Sequence, residues 1–190
     1  DKVNKLNNFC SDLSPQPDRQ ISFDWDIHWI CNYRCPYCWF YGKWADLKGY
    51  NVLIPLKQLL RFWEDVYLNY GQVRLAIVGG EPLLYPNFAE LIKELSALHK
   101  IEIVTNLSLD IDDLINKIDL KNIEIHPSFH PLFADFDRFV KKVLALKEKG
   151  LTKGVSYLAW PPQIKSLEFY RDKFLQYGIT MFIQSFFGEY

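Results

Sequence analysis

Two hydrophobic periods alternate along the chain from residue 21 onward. Short runs that alternate with a period of two, or that are wholly apolar, predict strands at 21–30, 73–78, 101–105, 122–126, 154–160 and 179–184. Longer segments with an apolar residue every three or four positions predict helices at 56–70, 87–100, 109–118, 134–149 and 164–177. Pro55 and Gly71 bracket the first helix, and Asn87 with Glu90 is a candidate capping box for the second.

This order of elements predicts an α/β fold of parallel strands joined by crossover helices. Two architectures fit it: a doubly wound open sheet, and a complete or partial barrel. In both, ligands bind where the strands end, so the residues that follow each strand are the candidates for a site. We expect the polar residues 1–20 to form an N-terminal arm and residues 21–190 to form one core domain, which could be truncated after its sixth strand.

Composition narrows the class of protein. Of the 190 residues, 49% are hydrophobic and 24% are charged, which is typical of a globular domain. The net charge of −1 lacks the basic surplus of a nucleic-acid-binding protein, so no nucleic acid partner is expected. No apolar stretch approaches the roughly 20 residues that span a bilayer, and no signal peptide begins the chain. We therefore expect a cytoplasmic protein without a membrane partner.

Three of the four cysteines, Cys31, Cys35 and Cys38, lie within eight residues directly after the first predicted strand. Such a cluster, without an export signal, indicates a metal site in a reducing compartment. A [4Fe–4S] cluster held by three cysteines would leave one iron open to a substrate or cofactor. The same cysteines also fit a structural zinc site completed by His28 or Cys10, or an electron-transfer cluster with Cys10 as the fourth ligand.

A Gly-Gly-Glu-Pro turn follows the second predicted strand, at Gly79, Gly80, Glu81 and Pro82. Two glycines allow a sharp turn and a close approach of the backbone to a ligand. Pro82 favours an extended conformation for Glu81, which would present a carboxylate at the same edge of the sheet as the cysteines. An ordinary strand-to-helix loop has the same composition.

The pattern Cys31-x3-Cys35-x-Tyr37-Cys38 resembles the signature of the radical S-adenosylmethionine (SAM) superfamily, and the turn at 79–82 resembles that family's GGE motif. The resemblance implies a partial (β/α)6 barrel with the cysteine loop after strand one. It also implies a [4Fe–4S] cluster on the three cysteines, with SAM chelating the fourth iron through its amino and carboxylate groups. Tyr37 would lie against the adenine, and the 79–82 turn would bind the amino group of SAM.

Further polar residues follow later strands and have weaker support. Thr105 and Asn106 follow the third predicted strand, where the family often has a polar residue near SAM, although turn chemistry explains them equally well. Ser128 matches a serine that contacts the SAM carboxylate in many members. His130 stands where an Asp is usual and is the candidate general acid or base, because imidazole titrates near neutrality. Gln184 ends the sixth strand and would line the substrate pocket.

The resemblance implies a reaction in which the reduced cluster cleaves SAM to a 5′-deoxyadenosyl radical, which abstracts hydrogen from a peptide side chain or a small metabolite. It also implies a flavodoxin- or ferredoxin-like one-electron reductant as a partner. With the three clustered cysteines assigned, Cys10 alone cannot hold an auxiliary cluster. Two alternatives are a non-catalytic binding module stabilised by zinc or an iron–sulfur cluster, and a radical SAM fold that has lost activity.

Overall fold

A computed structural model describes residues 20–40, 43, 46, 49, 51–117 and 120–186, which form six parallel strands in one open sheet. The strands are β1 (Ser22–Asp26), β2 (Arg74–Val78), β3 (Lys100–Thr105), β4 (Ile123–Phe129), β5 (Val155–Ala159) and β6 (Met181–Ser185). They follow one another in the sheet in sequence order. A doubly wound sheet reverses its strand order at a switch point. The sequential order seen here therefore identifies the second predicted architecture, a partial barrel, whose described sheet is open between β1 and β6.

Among the described residues, five helices connect the strands: α1 (Leu56–Tyr70), α2 (Phe88–Leu98), α3 (Asp112–Lys117), α4 (Phe136–Glu148) and α5 (Leu167–Gln176). Short 3-10 segments lie at Pro82–Leu84, Leu120–Asn122 and Pro161–Ser166. The bounds of α1 are those predicted, with Pro55 before it and Gly71 after it. Asp135 caps α4 by accepting a hydrogen bond from the backbone N–H of Arg138, as an N-terminal Asp commonly does.

One face of the sheet packs against the helices and forms the core. On β3, Ile101 and Ile103 are buried on this face, and α2 covers them with Leu91, Ile92 and Leu95. This alternation places the residues between the buried ones on the opposite, inner face of the sheet. The crossover helices therefore cover one face, and the inner face is left to line the barrel.

The inner face below the strand ends is charged. The Arg74 guanidinium donates two hydrogen bonds to the Glu102 carboxylate on the neighbouring strand, and Glu124 on β4 pairs with Lys153 at 3.0 Å. His126 lies 3.4 Å from Glu102. Apolar side chains fill the interior of a complete barrel, whereas these positions of the described sheet carry ion pairs.

Several element boundaries differ from the sequence prediction. The first strand is shorter than the predicted 21–30, since β1 ends at Asp26. The backbone N–H of Ile27 still donates a hydrogen bond to the carbonyl of Val78. Asn87 is left-handed and makes no side-chain cap, so the predicted capping box is wrong. Strand β4 continues past Pro127 to Phe129, which places Ser128 inside a strand. The last predicted helix begins with a 3-10 turn.

Residues 1–19 of the predicted N-terminal arm, Cys10 among them, lie outside the described residues, so the predictions for the arm and for Cys10 stay open. Within the part of the chain that the structure describes, no helix has the length and apolar character needed to span a membrane.

Candidate functional site

The predicted motifs meet at the carboxyl ends of the strands. A cavity of about 250 Å³ opens there. It is lined by every predicted site residue except Pro82, and its lining comprises Cys31, Tyr33, Cys35, Tyr37, Cys38, Trp39, Val78, Gly79, Gly80, Glu81, Val104, Thr105, Asn106, Ser128, Phe129, His130, Ser156, Leu158 and Gln184. Motifs that are far apart along the chain therefore share one site, because parallel strands end at the same edge.

The cysteine loop turns tightly within itself. Cys35 is buried, and its carbonyl accepts a hydrogen bond from the backbone N–H of Cys38 at 3.1 Å. The backbone N–H of Tyr33 points at the sulfur of Cys31 at 3.4 Å. Backbone N–H groups directed at sulfur stabilise thiolates, whether free or bound to a metal.

The two glycines of the 79–82 turn allow close contact with the backbone that leads into the cysteine loop. A Cβ atom on Gly79 would lie 2.3 Å from the carbonyl oxygen of His28, and one on Gly80 would lie 2.1 Å from that of Ile30. The backbone N–H groups of Gly80 and Glu81 donate to these same two carbonyls at 2.8 Å. The two glycines were expected to let the backbone approach a ligand. They also let it approach the backbone of His28 and Ile30, which couples the turn to the cysteine loop.

The carboxylate of Glu81 joins the turn to the end of β3. Its side chain is 1% exposed, and its two oxygens accept hydrogen bonds from the Thr105 hydroxyl at 2.6 Å, the Asn106 N–H at 2.7 Å and the Leu83 N–H at 3.1 Å. Burial raises the pKa of Glu81, and these three donors oppose that shift by favouring the ionised form. Glu81 therefore fixes the relative positions of two loops that line the cavity.

A second set of hydrogen bonds links the loop after β3 to the cysteine loop. The Asn106 side-chain amide donates to Asn32 at 3.1 Å, and Asn32 donates to the Ser108 hydroxyl at 2.7 Å. Asn32 lies inside the cysteine motif, but sequence analysis assigned it no role. The missed signal was its position next to Cys31, at the same edge of the sheet as the loop that follows β3.

Tyr37 and His130 form one wall of the cavity. The Tyr37 hydroxyl and Nδ1 of His130 share a hydrogen bond of 3.0 Å, and the two rings stack with centroids 5.7 Å apart. Burial lowers the pKa of His130 to about 4. The ring is therefore a neutral hydrogen-bonding partner at physiological pH in this structure, and the role of His130 as general acid or base stays a prediction.

The remaining predicted residues occupy different positions around the rim. Ser128 on β4 and Gln184 on β6 both line the cavity, and Gln184 Nε2 is 3.4 Å from the hydroxyl of Ser156, a lining residue that sequence analysis did not single out. Pro82 is buried outside the cavity lining and begins the 3-10 turn that follows Glu81. Its role is to shape the turn.

The three thiols suit a cluster. Burial raises the pKa of each of them, that of Cys35 to about 12, so the free thiols stay protonated until a metal displaces the protons. Among the described residues, no three His, Cys, Asp or Glu side chains are close enough together to hold a single metal ion. Thiolate is the ligand that iron–sulfur clusters prefer, and the donor set fits one.

The zinc alternative completed by His28 gains no support. The ring of His28 is buried away from the cavity lining, where it stacks on Tyr85 and accepts a hydrogen bond from the Ile30 N–H. Burial lowers the pKa of this imidazole. The backbone carbonyl of His28 accepts a hydrogen bond from the N–H of Gly80, so His28 helps to hold the 79–82 turn.

Comparison with known proteins gives the site a family context. The family model described as "Radical SAM superfamily" matches residues 29–163, more than two thirds of the chain. GTP 3′,8-cyclase of Rippkaea orientalis is 33% identical over 72 residues, which are 38% of this chain and 22% of that protein. GTP 3′,8-cyclase of Staphylococcus haemolyticus is 42% identical over 77 residues, again 38% and 22% of the two chains. The matched part is thus about a fifth of these relatives' length.

Solved structures share the fold. The structure described as "Native anSMEcpe with bound AdoMet" matches with a TM-score of 0.69 and 14% identity over 90% of this chain and 55% of that one. SuiB of Streptococcus suis bound to precursor peptide SuiA matches with a TM-score of 0.66 and 18% identity over 97% and 44%. At such low identity the likeness establishes the partial-barrel fold, and the chain spans about half the length of these structures.

Proposed function

Since the chain belongs to the radical SAM superfamily, we propose that it is the core of an enzyme in which Cys31, Cys35 and Cys38 hold a [4Fe–4S] cluster and SAM binds in the adjoining cavity. The observation that carries this proposal is the shared cavity lined by the cysteine loop, the 79–82 turn and the loop after β3. When bound, the cluster and SAM would supply a 5′-deoxyadenosyl radical that takes hydrogen from the substrate.

The chain's own residues would provide the geometry. The backbone carbonyls of Gly79 and Gly80 would be acceptors for the ammonium group of SAM, because the carboxylate of Glu81 already accepts three hydrogen bonds from the protein. Thr105, Asn106 and Ser128 would place polar atoms around the methionine and ribose. Tyr37, stacked on His130, would present an aromatic surface for the adenine.

We assign His130 a hydrogen-bonding role rather than that of a general acid. Its lowered pKa keeps the ring neutral, and its Nδ1 already shares a hydrogen bond with Tyr37. It would therefore hold the Tyr37 ring in place and could accept a proton only weakly.

We further propose a peptide as the substrate. No Arg or Lys is among the described residues that line the cavity, which disfavours a nucleoside triphosphate such as the substrate named for the cyclase relatives. The fold resembles that of SuiB bound to a peptide along nearly the whole chain. Strand β6 also leaves one edge of its backbone free in the described sheet, and an extended peptide can pair with such an edge.

A reconstitution experiment tests the central proposal. The chain, purified without oxygen and supplied with iron and sulfide, should bind close to four irons and turn SAM into 5′-deoxyadenosine when reduced with dithionite. The Cys35→Ala variant should bind little iron and form no 5′-deoxyadenosine, because only two of the three clustered thiolates remain. The Cys10→Ala variant should behave as the unaltered chain. A zinc-containing protein without iron, or a Cys35→Ala variant with a full cluster, would contradict the ligand assignment.

The substrate class is tested with the same reduced protein. A peptide substrate should increase the rate of 5′-deoxyadenosine formation and carry a mass change after incubation, whereas GTP should do neither. Stimulation by GTP or by a small metabolite in place of peptides would favour the corresponding alternative. A flavodoxin- or ferredoxin-like protein should replace dithionite as the electron donor.

A further inference from the structure

Lys142 on α4 contacts the loop after β3 and is not among the residues that line the cavity. Its ammonium group donates to the carbonyl oxygens of Leu107 and Leu109, both at 2.7 Å. The side chain is half-buried, and burial lowers the pKa of its amine. A partly buried ammonium needs acceptors, and here both acceptors belong to one turn of backbone.

The turn that Lys142 holds is unfavourable by itself. Leu107 has φ +52°, a left-handed backbone conformation that residues other than glycine rarely adopt. Its side chain is buried in the core and 2% exposed. Such a residue keeps this conformation only when its surroundings hold it. The N–H of Leu107 donates to the Thr105 hydroxyl at 3.1 Å, and its carbonyl is held by Lys142, so both of its peptide groups are fixed.

This conformation determines where the cavity residues lie. The reversal at Leu107 lets Thr105 and Asn106 reach Glu81 while Ser108 reaches back to Asn32. The N–H of Ser108 also donates to the Asn106 side chain at 2.9 Å, which orients that amide. A relaxed turn would move all of these groups together, because each hydrogen bond spans neighbouring residues of the same short loop.

We propose that Lys142 is a positioning residue for SAM binding, which acts by holding the carbonyls of Leu107 and Leu109 so that Thr105 and Asn106 face the cavity. This inference rests on the proposed function, since it takes the loop after β3 as part of the SAM site. The positive charge of Lys142 also favours the ionised form of Glu81, which accepts the hydrogen bonds from that loop.

The test compares three variants of the reconstituted protein. Lys142→Met keeps the apolar stem and removes both donors; it should retain the cluster but bind SAM at least tenfold more weakly. Lys142→Arg keeps the charge and the donors and should bind SAM within threefold of the unaltered chain. Lys141→Met removes an exposed lysine one position away and should leave affinity unchanged. Calorimetric titration with SAM and the iron content per chain supply these values.

Hydrogen exchange on the metal-free protein supplies a second readout that needs no SAM. The amides of residues 105–109 should exchange faster in Lys142→Met than in the unaltered chain. In Lys142→Arg and Lys141→Met they should exchange at the rate of the unaltered chain. Should Lys142→Met not fold, Lys142→Gln replaces it, since Gln removes the positive charge and shortens the side chain but keeps a polar end.

Unchanged SAM affinity in the folded Met or Gln variant would overturn the positioning role of Lys142, whatever the exchange rates, and leave the proposed function intact. If the unaltered chain binds no SAM, the proposed function fails and the SAM-positioning role fails with it. Exchange that is still faster in the Met variant would then show that Lys142 holds the loop for another purpose.

Discussion

The two ends of the sheet differ in how tightly their strand ends are held. Between β1 and β4, the loops after the strands are tied to each other, and Glu81, 1% exposed, accepts three hydrogen bonds from two of them. At β6, Phe182 and Ile183 are 49% and 54% exposed, and a weak 3.4 Å contact links Gln184 to Ser156. Within the described residues, the first region is therefore preorganised and the second is more exposed.

This difference fits a division of roles within one fold. A site for an invariant cofactor gains affinity from groups that are already in place, because no ordering cost falls on binding. An exposed strand edge has unpaired backbone groups that another chain can satisfy. The proposed SAM site and the proposed peptide approach therefore lie at opposite ends of the same strand layer, and the two regions should respond differently to substitution.

The largest effect is expected where the two loops are in closest contact. Gly80→Ala places a Cβ 2.1 Å from the Ile30 carbonyl oxygen, a backbone atom that cannot move aside without breaking its hydrogen bond to Glu81. We expect a loss of about 1–3 kcal/mol in the free energy of unfolding, together with reduced iron and SAM binding. Urea unfolding and iron analysis measure both.

Gly150→Ala is the matched control for Gly80→Ala. Gly150 has φ +71° and open space around its Cβ position, follows the end of α4 and is not among the residues that line the cavity. The left-handed backbone makes this change cost about 1–2 kcal/mol of stability, but iron and SAM binding should stay at the level of the unaltered chain. Equal loss of binding in both variants would show that general stability, and not the contact between the loops, controls the site.

A smaller effect should appear on acidification, through His130. Its pKa is about 4 in the folded chain against an ordinary 6.5, so the unfolded chain binds more protons between these pH values. Stability should therefore fall as the pH drops through this range, by about 1–3 kcal/mol from this ring. In His130→Asn, the loss of unfolding free energy that this ring causes should vanish. The denaturant midpoint, measured from pH 7 to pH 4 for both proteins, tests this.

His126→Asn is the control for the acid effect, since it removes an imidazole from the inner face of the sheet rather than from the cavity wall. The His130-dependent loss should persist in it. Identical pH profiles for the unaltered chain and His130→Asn would show that the His130 ring is solvated and can be protonated without cost to the fold.

The smallest effect is expected at the open end. Ile183→Ala removes the same atoms as Ile103→Ala, but Ile183 is 54% exposed and Ile103 is fully buried. The change at 103 should cost about 2–5 kcal/mol, and the change at 183 less than about 1 kcal/mol. A cost at 183 close to that at 103 would mean that β6 is covered in solution, and the contrast between the two ends would not hold.

Much of the fold could be predicted because local patterns report it directly. The bounds of α1 follow from a helical period between Pro55 and Gly71, and β3 follows from alternating apolar residues. The boundary of β4 was missed because Pro127 resembles a strand terminator, yet the neighbouring strands accommodate it without a donor. Asn87 was misread because a left-handed Asn and a helix-capping Asn have the same sequence signature.

Residue type and spacing are enough to identify the residues that can bear the chemistry: three closely spaced thiols, a Gly-Gly-Glu-Pro turn and polar residues after parallel strands. These follow from residue type and spacing, which the chain carries locally. How these residues are used depends on the folded chain, as shown by the hydrogen bonds of Glu81 to the loop after β3, the lowered pKa of His130 and the contact of Lys142 with Leu107. Hydrogen-bond partners and desolvation arise from residues distant along the chain, and no local pattern encodes them.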